Sequence, residues 1–325
     1  MKKILSLLLV LSLVIAMASC GGGEKKEETK ADDKKTEAKS EEKTEAKTEA
    51  KSEMKEEEKD GSGFVFNLGS DPKTLDPSLN SASDGGDIIN NTFEGLVIDS
   101  KEEGLVLAGA EDISMSEDGT VYTIKLRKDA KWSDGKPVTA QDYVYSWLRV
   151  MSAEAASEYS FIMMPHIKNG EAYFKGEVGA EEVGVKALDD YTLEATLNYP
   201  LPYFKALLSF YTYMPVRKDV VEANPDTWFR NPETFICNGP FKLAEYKTGD
   251  SLKLVKNEEY YGAADVKIDW IQAEFIEEAT TAHSAYLSGD IAVNGHIPSE
   301  EIPTLQAEDP YFTSAPRIGT YYYIF

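Results

Sequence analysis

Residues 24–60 limit where this chain can fold, because they consist almost entirely of Lys, Glu, Thr, Ala, Ser and Asp. Met54 is the only large apolar residue of this stretch, and segments such as Lys-Thr-Glu-Ala-Lys recur in it. Such a composition cannot bury enough apolar surface to offset the entropy of ordering the backbone, so we predict a disordered tether. A folded core is therefore expected only in the residues that follow, 61–325.

The residues before the tether have the pattern of an export signal. Lys2 and Lys3 precede an apolar run of 15 residues, 4–18, and Cys20 follows directly ahead of three glycines. A membrane-spanning helix needs about 20 residues, so we interpret residues 1–19 as a signal peptide. A cysteine after small residues resembles the bacterial lipobox, which makes Cys20 the predicted lipid attachment site. An ordinary secretory signal with an incidental cysteine is the alternative.

The charge of the chain restricts its partners. Of the net −23, Lys2 and Lys3 contribute +2 and residues 21–60 contribute −4, which leaves about −21 for residues 61–325. This acidity argues against nucleic acid, because phosphate binding requires basic patches, and against docking on anionic lipid. With Cys20 acylated, Cys237 is the only remaining thiol, so an intrachain disulfide and a cysteine zinc site are excluded. Cys237 is predicted to be a small core residue.

Apolar periodicity predicts strands and helices that do not alternate strictly, which is typical of an α/β class with a mixed sheet. The predicted strands are 64–68, 120–126, 191–197 and a hairpin of 241–246 with 251–256. The predicted helices are 88–96, 203–210, 279–287 and one that begins after Thr139, with Asp142 as its capping partner.

The sequence contains no recognisable catalytic motif. Nucleophile-elbow, zinc-protease and phosphate-loop patterns do not occur, and His166, His283 and His296 are far apart without ligand spacing. We therefore predict no catalytic residue, no metal site and no cofactor, and a protein that is not an enzyme. An exported hydrolase and a surface adhesin stay open: the first needs a nucleophile and a base in one cleft, and the second needs an exposed apolar patch without a cleft.

Seven segments, spread from about residue 68 to the end of the chain, form a specific and ordered set. They are 71–77 (DPKTLDP), 93–96 (FEGL), 126–135 (LRKDAKWSDG), 137–147 (PVTAQDYVYSW), 184–190 (GVKALDD), 238–241 (NGPF) and 319–323 (GTYYY). Together they resemble the extracytoplasmic solute-binding proteins of ABC importers, in family 5, which binds peptides or nickel. In that family two lobes close over an extended peptide and hold it mainly through its backbone.

The resemblance implies the arrangement of domains. Residues 63–93 and 217–325 would form a first lobe with the type II fold of periplasmic binding proteins, incomplete here. Residues 94–216 would form an inserted small α/β domain, and residues 20–62 a lipid-anchored linker. Relatives continue into a second large lobe that is missing from this sequence. We therefore expect weak or absent peptide affinity, and submicromolar binding would contradict this expectation.

The resemblance also implies a function and a set of ligand contacts. The function would be capture of extracellular oligopeptides and their delivery to the permease subunits of an ABC importer, by a monomer anchored outside the cell membrane. A nickel chelate, haem or an oligosaccharide is the alternative ligand. Ser81 stands where relatives often carry an acidic residue. The implied peptide-binding residues are Ser81, Ala82, Ser83, Tyr159, Asn294, Gly295, His296 and Tyr322.

Overall fold

The computed structural model describes residues 61–315 and residue 323. Four predicted features lie outside the described residues: the signal peptide, the lipid site Cys20, the tether up to residue 60 and the ligand contact Tyr322. Within the described residues, no helix is both long enough and apolar enough to cross a membrane.

The described residues form eleven strands and seven α-helices. The strands are β1 (Gly63–Asn67), β2 (Val97–Ser100), β3 (Gly104–Leu107), β4 (Ala110–Met115), β5 (Val121–Leu126), β6 (Val185–Asp189), β7 (Thr192–Thr196), β8 (Phe241–Lys247), β9 (Ser251–Lys256), β10 (Trp270–Glu274) and β11 (Val293–Asn294). The helices are α1 (Ser83–Thr92), α2 (Ala140–Val150), α3 (Gly170–Phe174), α4 (Phe204–Leu207), α5 (Lys218–Ala223), α6 (Ala279–Ser288) and α7 (Ile302–Glu308). Short 3₁₀ turns lie at Ser160–Ile162, Ala180–Glu182, Tyr211–Tyr213 and Ala263–Asp265.

A five-stranded mixed sheet has the order β11-β1-β10-β9-β8. Strand β1 is parallel to both of its neighbours, β10 and β11, whereas β9 is antiparallel to β10 and to β8. The predicted hairpin is confirmed as β8 and β9, with Gly249 in the turn at φ +73°. A positive φ favours glycine, which has no Cβ to clash with the backbone.

A second sheet is antiparallel throughout and has the order β4-β5-β7-β6. Its strands β5 and β7 confirm the two alternating segments of the sequence. Tyr122, Ile124 and Leu126 share the buried face of β5, as a period of two requires. Helix α2 packs against β6 and β7 on this sheet. The remaining strands, β2 and β3, form a separate two-stranded hairpin.

Helix α2 begins where the sequence predicts it. The backbone N–H of Thr139 and its Oγ1 both donate to Oδ2 of Asp142, at 2.8 and 3.0 Å. The N–H of Asp142 donates in turn to the carbonyl oxygen of Thr139 at 3.1 Å. Trp132 donates from Nε1 to the same carboxylate oxygen at 3.3 Å. The cap therefore fixes both the start of the helix and the ring of a completely buried tryptophan.

The helix predicted at residues 88–96 has wrong bounds. The helix, α1, begins five residues earlier, at Ser83, and ends at Thr92. Phe93 is already extended, with φ −119° and ψ 156°. Phe93 and Leu96 are nevertheless buried, at 1% and 0% exposure. The apolar spacing continued past the helix because the extended segment after it also faces the core.

The helix predicted at residues 203–210 is shorter than expected. Only Phe204–Leu207 is α-helical, and the 3₁₀ turn Tyr211–Tyr213 follows after an extended Phe210. The aromatic side chains of this segment pack against one another. The rings of Phe204 and Tyr213 are in edge-to-face contact, with their centroids 6.2 Å apart. Tertiary packing of these rings overrides the local helical pattern.

One continuous apolar core includes residues from both larger sheets. Its largest completely enclosed side chains include Trp132, Trp147 and Trp228. Cys237 is also completely buried, as predicted. The mixed α/β class expected from the sequence is confirmed by these sheets and the helices packed on them.

Candidate functional site

The parallel strands of the five-stranded sheet end at a common edge. Because β1, β10 and β11 run in one direction, their carboxyl ends lie side by side, and Asn67, Glu274 and Asn294 are their last residues. In open α/β sheets, ligands bind outside the carboxyl ends of such strands. This edge is therefore a candidate ligand-binding site.

The side chain of Asn67 forms hydrogen bonds to several segments at this edge. Its side chain is 6% exposed. Oδ1 accepts from the N–H of Gly69 at 3.0 Å and from the N–H of Ile276 at 3.1 Å, while Nδ2 donates to the carbonyl oxygen of Ile276 at 3.1 Å. Nδ2 also reaches Oδ1 of Asn294 at 3.4 Å. One buried amide thus ties together the segments that leave β1, β10 and β11.

Of the predicted contacts, Asn294 is the last residue of β11, and Gly295 and His296 follow it directly. Oδ1 of Asn294 accepts from the N–H of His296, and Nδ2 donates to the His296 carbonyl oxygen, both at 3.0 Å. The His296 ring lies against Gly69, where an added Cβ would come within 1.9 Å of Cε1. Gly69 has φ +96°, so the turn and the close approach both require glycine. Gly295 faces open space.

The predicted contacts Ser81, Ala82 and Ser83 form the entrance to α1. Ala82 is extended, with φ −118° and ψ 153°, and Ser83 is the first helical residue. Nδ2 of the buried Asn80 donates to the carbonyl oxygen of Ala82 at 2.9 Å. Among residues 61–315, no group accepts a hydrogen bond from the N–H of Ser81 or of Ser83. An extended segment with available N–H groups can pair with another extended chain.

Tyr159 lies against this entrance. Its hydroxyl donates to the carbonyl oxygen of Ser81 at 3.3 Å. The preceding residue, Glu158, has its pKa lowered by a hydrogen bond with the Ser81 side chain and by the charge of Lys73. Nζ of Lys73 is 3.7 Å from the Glu158 carboxylate, and both side chains are exposed. Two of the predicted site residues, Ser81 and Tyr159, are therefore in direct contact.

The turn after β1 links the two groups of predicted residues. Gly69, which carries the contact with His296, precedes Ser70, and Oγ of Ser70 donates to Oδ2 of Asp84 in the first turn of α1 at 2.7 Å. The turn after β1 therefore touches both groups. A cavity of about 490 Å³ adjoins the edge, with Asn294, Ile297 and Phe312 in its wall. Seven of the eight predicted ligand contacts belong to these two linked groups, and Tyr322 is outside the described residues.

Sequence reasoning missed the polar residues that support this region. Asn67, Ser70, Asp84 and Glu158 were not singled out, although each bonds to a segment that carries a predicted contact. Asn67 is a polar residue at the carboxyl end of β1, and this position was a usable signal. The contacts of Glu158 and Asp84 could not be read from the sequence, because they depend on which loops meet.

The described residues offer no arrangement for metal chemistry. No group of three or more His, Cys, Asp or Glu side chains is placed to hold an ion within them. The histidines have separate surroundings: Nδ1 of His166 is 2.7 Å from the Tyr199 hydroxyl, His283 is buried on α6, and His296 lies against Gly69.

Comparison with known proteins agrees with this architecture. The family model for bacterial extracellular solute-binding proteins, family 5 middle region, matches residues 104–325. The oligopeptide-binding protein OppA of Bacillus subtilis is 36% identical over 268 residues, which are 80% of this chain and 48% of OppA. The probable deoxycholate-binding periplasmic protein YgiS of Escherichia coli is 32% identical over 264 residues, 81% of this chain and 49% of YgiS.

A solved structure shows the same fold. Listeria monocytogenes OppA bound to peptide matches with a TM-score of 0.68 and 36% identity, over 71% of this chain and 45% of that one. The fold is that of extracellular solute-binding proteins. The chain belongs to the bacterial extracellular solute-binding proteins of family 5. It spans about half the length of the relatives it matches.

Proposed function

We propose that this chain takes part in capturing extracellular oligopeptides for an ABC importer. The observation that carries the proposal is the extended entrance to α1, where the N–H groups of Ser81 and Ser83 have no hydrogen-bond partner among residues 61–315. Tyr159 donates a hydrogen bond to the carbonyl oxygen of Ser81, and the turn after β1 links α1 to His296. The names of relatives support a peptide ligand: OppA of Bacillus subtilis is an oligopeptide-binding protein, and OppA of Listeria was solved with peptide.

The proposed binding mode is pairing of an extended peptide with the backbone of Ser81, Ala82 and Ser83. Main-chain hydrogen bonds are common to every peptide, so this mode gives affinity without requiring a particular sequence. Asn294, Gly295, His296 and Tyr322 are proposed as further contacts. No catalytic residue, metal or cofactor takes part in this function.

Residues 63–93 and 217–325 are proposed to form the first lobe, and residues 94–216 an inserted small domain. The sheet composition supports this division. Every strand of the five-stranded sheet comes from the first set, and every strand of the four-stranded sheet comes from the second.

The proposed location is the outer side of the cell membrane. Residues 1–19 would direct export, a lipid on Cys20 would anchor the chain, and residues 20–62 would act as a linker. The charge pattern of the linker supports a solvated tether. The proposed partners are the permease subunits of the importer, served by a monomeric receptor. A tether of this kind keeps the receptor near its transporter at high effective concentration.

A proline at residue 83 tests the backbone contact without removing the helix. Ser83 is the first residue of α1, where proline is tolerated, and Ala82 already has the extended conformation that proline requires before it. Ser83→Pro deletes the N–H group. Ser83→Ala keeps the N–H group and measures the contribution of the hydroxyl, so the difference between the two variants isolates the backbone contact.

The binding measurement is a titration of the chain with alanine-rich pentapeptides, followed by NMR chemical shifts, which report weak as well as tight binding. Ser83→Pro is expected to weaken binding about fivefold to tenfold relative to Ser83→Ala, the equivalent of one hydrogen bond. Equal affinity of the two variants would contradict the backbone mode. A chain that binds deoxycholate, nickel chelate, haem or oligosaccharide but no peptide would overturn the proposed ligand class.

A further inference from the structure

Phe161 presents a large apolar ring to solvent next to the candidate site. It lies in the 3₁₀ turn Ser160–Ile162, and its side chain is 57% exposed. The ring makes an edge-to-face contact with Tyr159, with centroids 5.7 Å apart. Tyr159 in turn donates to the Ser81 carbonyl oxygen. Tyr159 therefore contacts both Phe161 and the backbone segment that is proposed to bind peptide.

The ring is held by an aromatic row that continues into the interior. Tyr159 lies edge-on to Phe210 at 5.5 Å and tilted against Tyr211 at 6.2 Å, and Phe210 stacks on Tyr211 at 4.2 Å. Tyr211 is 8% exposed and lies close to α1, where an added Cβ at Gly86 would be 3.1 Å from its ring. Edge contacts of this kind fix ring orientation. Phe161 thus lies at the outer end of a row of contacting aromatic rings.

Exposed apolar side chains on their own carry little information, because most of the surface of a folded protein is apolar. Leu188 shows this: it is 55% exposed on β6, an edge strand of the four-stranded sheet. Phe161 differs because its support, Tyr159, is bonded directly to the Ser81 backbone. An extended peptide turns successive side chains to opposite sides, so alternate side chains of a bound peptide point toward one wall.

We propose that Phe161 is a specificity-determining residue that contacts one apolar side chain of the bound peptide. The proposal rests on the peptide-binding function proposed above and narrows its substrate class. Peptides with leucine, phenylalanine or a similar side chain at one position bind better than peptides with a small polar side chain there. The contact buries part of the exposed ring on binding, which is the source of the preference.

The test is a set of alanine pentapeptides in which leucine or serine replaces one residue at each position in turn. Dissociation constants are measured by NMR titration of the chain and of the variants Phe161→Ala, Phe161→Leu and Leu188→Ala. The unchanged chain is expected to prefer leucine over serine at one position. Phe161→Ala is expected to reduce that preference about tenfold, and Phe161→Leu is expected to retain most of it. Leu188→Ala should keep the full preference.

The outcomes separate this inference from the function on which it rests. If the chain binds peptides and Phe161→Ala leaves the leucine preference intact, the specificity role is overturned and peptide capture stands. If Phe161→Ala weakens all peptides equally, the ring has a general supporting role and the inference also fails. The inference requires that the weak affinity expected of this chain is measurable, so absence of peptide binding by the unchanged chain overturns the inference together with the proposed function. Thermal unfolding of each variant identifies any loss of binding that comes from misfolding.

Discussion

Arg149 forms a bidentate ion pair with Asp76, whose carboxylate is completely buried. Nη1 donates to Oδ1 at 3.0 Å, and Nη2 is 2.8 Å from Oδ2. The same carboxylate accepts from the N–H of Ser78 at 2.9 Å and from Nε1 of Trp228 at 3.3 Å. The pair therefore joins three segments: helix α2, the loop that leads to Ser81, and the segment that contains Trp228. It fixes the loop that carries the candidate site.

Replacing Arg149 by methionine should strongly destabilise the fold. The change leaves the Asp76 carboxylate buried without its counter-charge, which typically costs about 3–5 kcal/mol. Urea unfolding measures the loss. Lys175→Met removes an exposed pair with Glu171 on α3 and should leave the free energy of unfolding nearly unchanged. Adding Asp76→Asn to Arg149→Met should recover part of the loss. Equal stability of Arg149→Met and the unchanged chain would contradict the assigned role.

Gly69→Ala should displace His296 from the sheet edge. Gly69 and Gly176 both have positive φ, +96° and +71°, but only at Gly69 does an added Cβ meet another side chain, 1.9 Å from His296 Cε1. Gly176→Ala therefore measures the backbone cost alone, about 1 kcal/mol. Gly69→Ala should cost more than this and should also shift the NMR signals of the His296 ring. Equal destabilisation by the two variants, with no shift of those signals, would exclude the contact.

The parts of the fold that were predicted correctly depend on contacts between residues that are close together in the sequence. Thr139 and Asp142 are three positions apart, so their capping contact is visible as a pattern. The turn at Gly249 and the alternation of Tyr122 and Ile124 are equally local. The end of α1 was mispredicted because Phe93 continues the apolar spacing in an extended conformation. Periodicity reports which side chains face the core, and here it did not distinguish the helix from the segment after it.

The candidate site was predicted through family resemblance, and its supporting contacts were not predicted. The resemblance predicts both Ser81 and Tyr159 as contacts, but the hydrogen bond between them joins residues 78 positions apart. Asn67 bonds to Ile276 across 209 positions, and no local signal indicates that partner. Such contacts depend on the order of strands in the sheet. The exposure of Phe161 likewise depends on how the rings of residues 159–211 pack.

The stability difference between the chain and its Glu94→Gln variant should depend on pH. Burial raises the pKa of Glu94 above its ordinary 4.5, against hydrogen bonds from Tyr260 and Tyr261 and the charge of Arg127. Well below pH 4.5 the carboxyl group is neutral in both states. As the pH rises from there through the raised pKa, the unfolded state ionises first, so the chain loses stability relative to the glutamine variant.

The measurement for Glu94 is urea unfolding of both proteins at a series of pH values from 4 to 8. Asp118→Asn provides a control whose stability difference should stay constant over this series, because hydrogen bonds from Ser116 and Thr120 lower the pKa of Asp118 below its ordinary 3.8. The stabilising contribution of Asp118 is fully present above its ordinary 3.8 and is lost as the pH falls from there through the lowered pKa. A stability difference between the chain and Glu94→Gln that is constant over the whole series would show that Glu94 is not shifted in the folded state.

Cys237 should resist thiol reagents for as long as the chain is folded. Its side chain is 0% exposed, its Sγ donates to the carbonyl oxygen of Phe241 at 3.3 Å, and burial raises the pKa of the thiol to about 12. In a Cys20→Ser variant, which leaves one thiol, labelling with Ellman's reagent at pH 8 should be slow in buffer and complete in urea. Because the thiol reacts only from opened molecules, the labelling rate should rise when Arg149→Met is added. Fast stoichiometric labelling of the folded Cys20→Ser variant would place Cys237 outside the core.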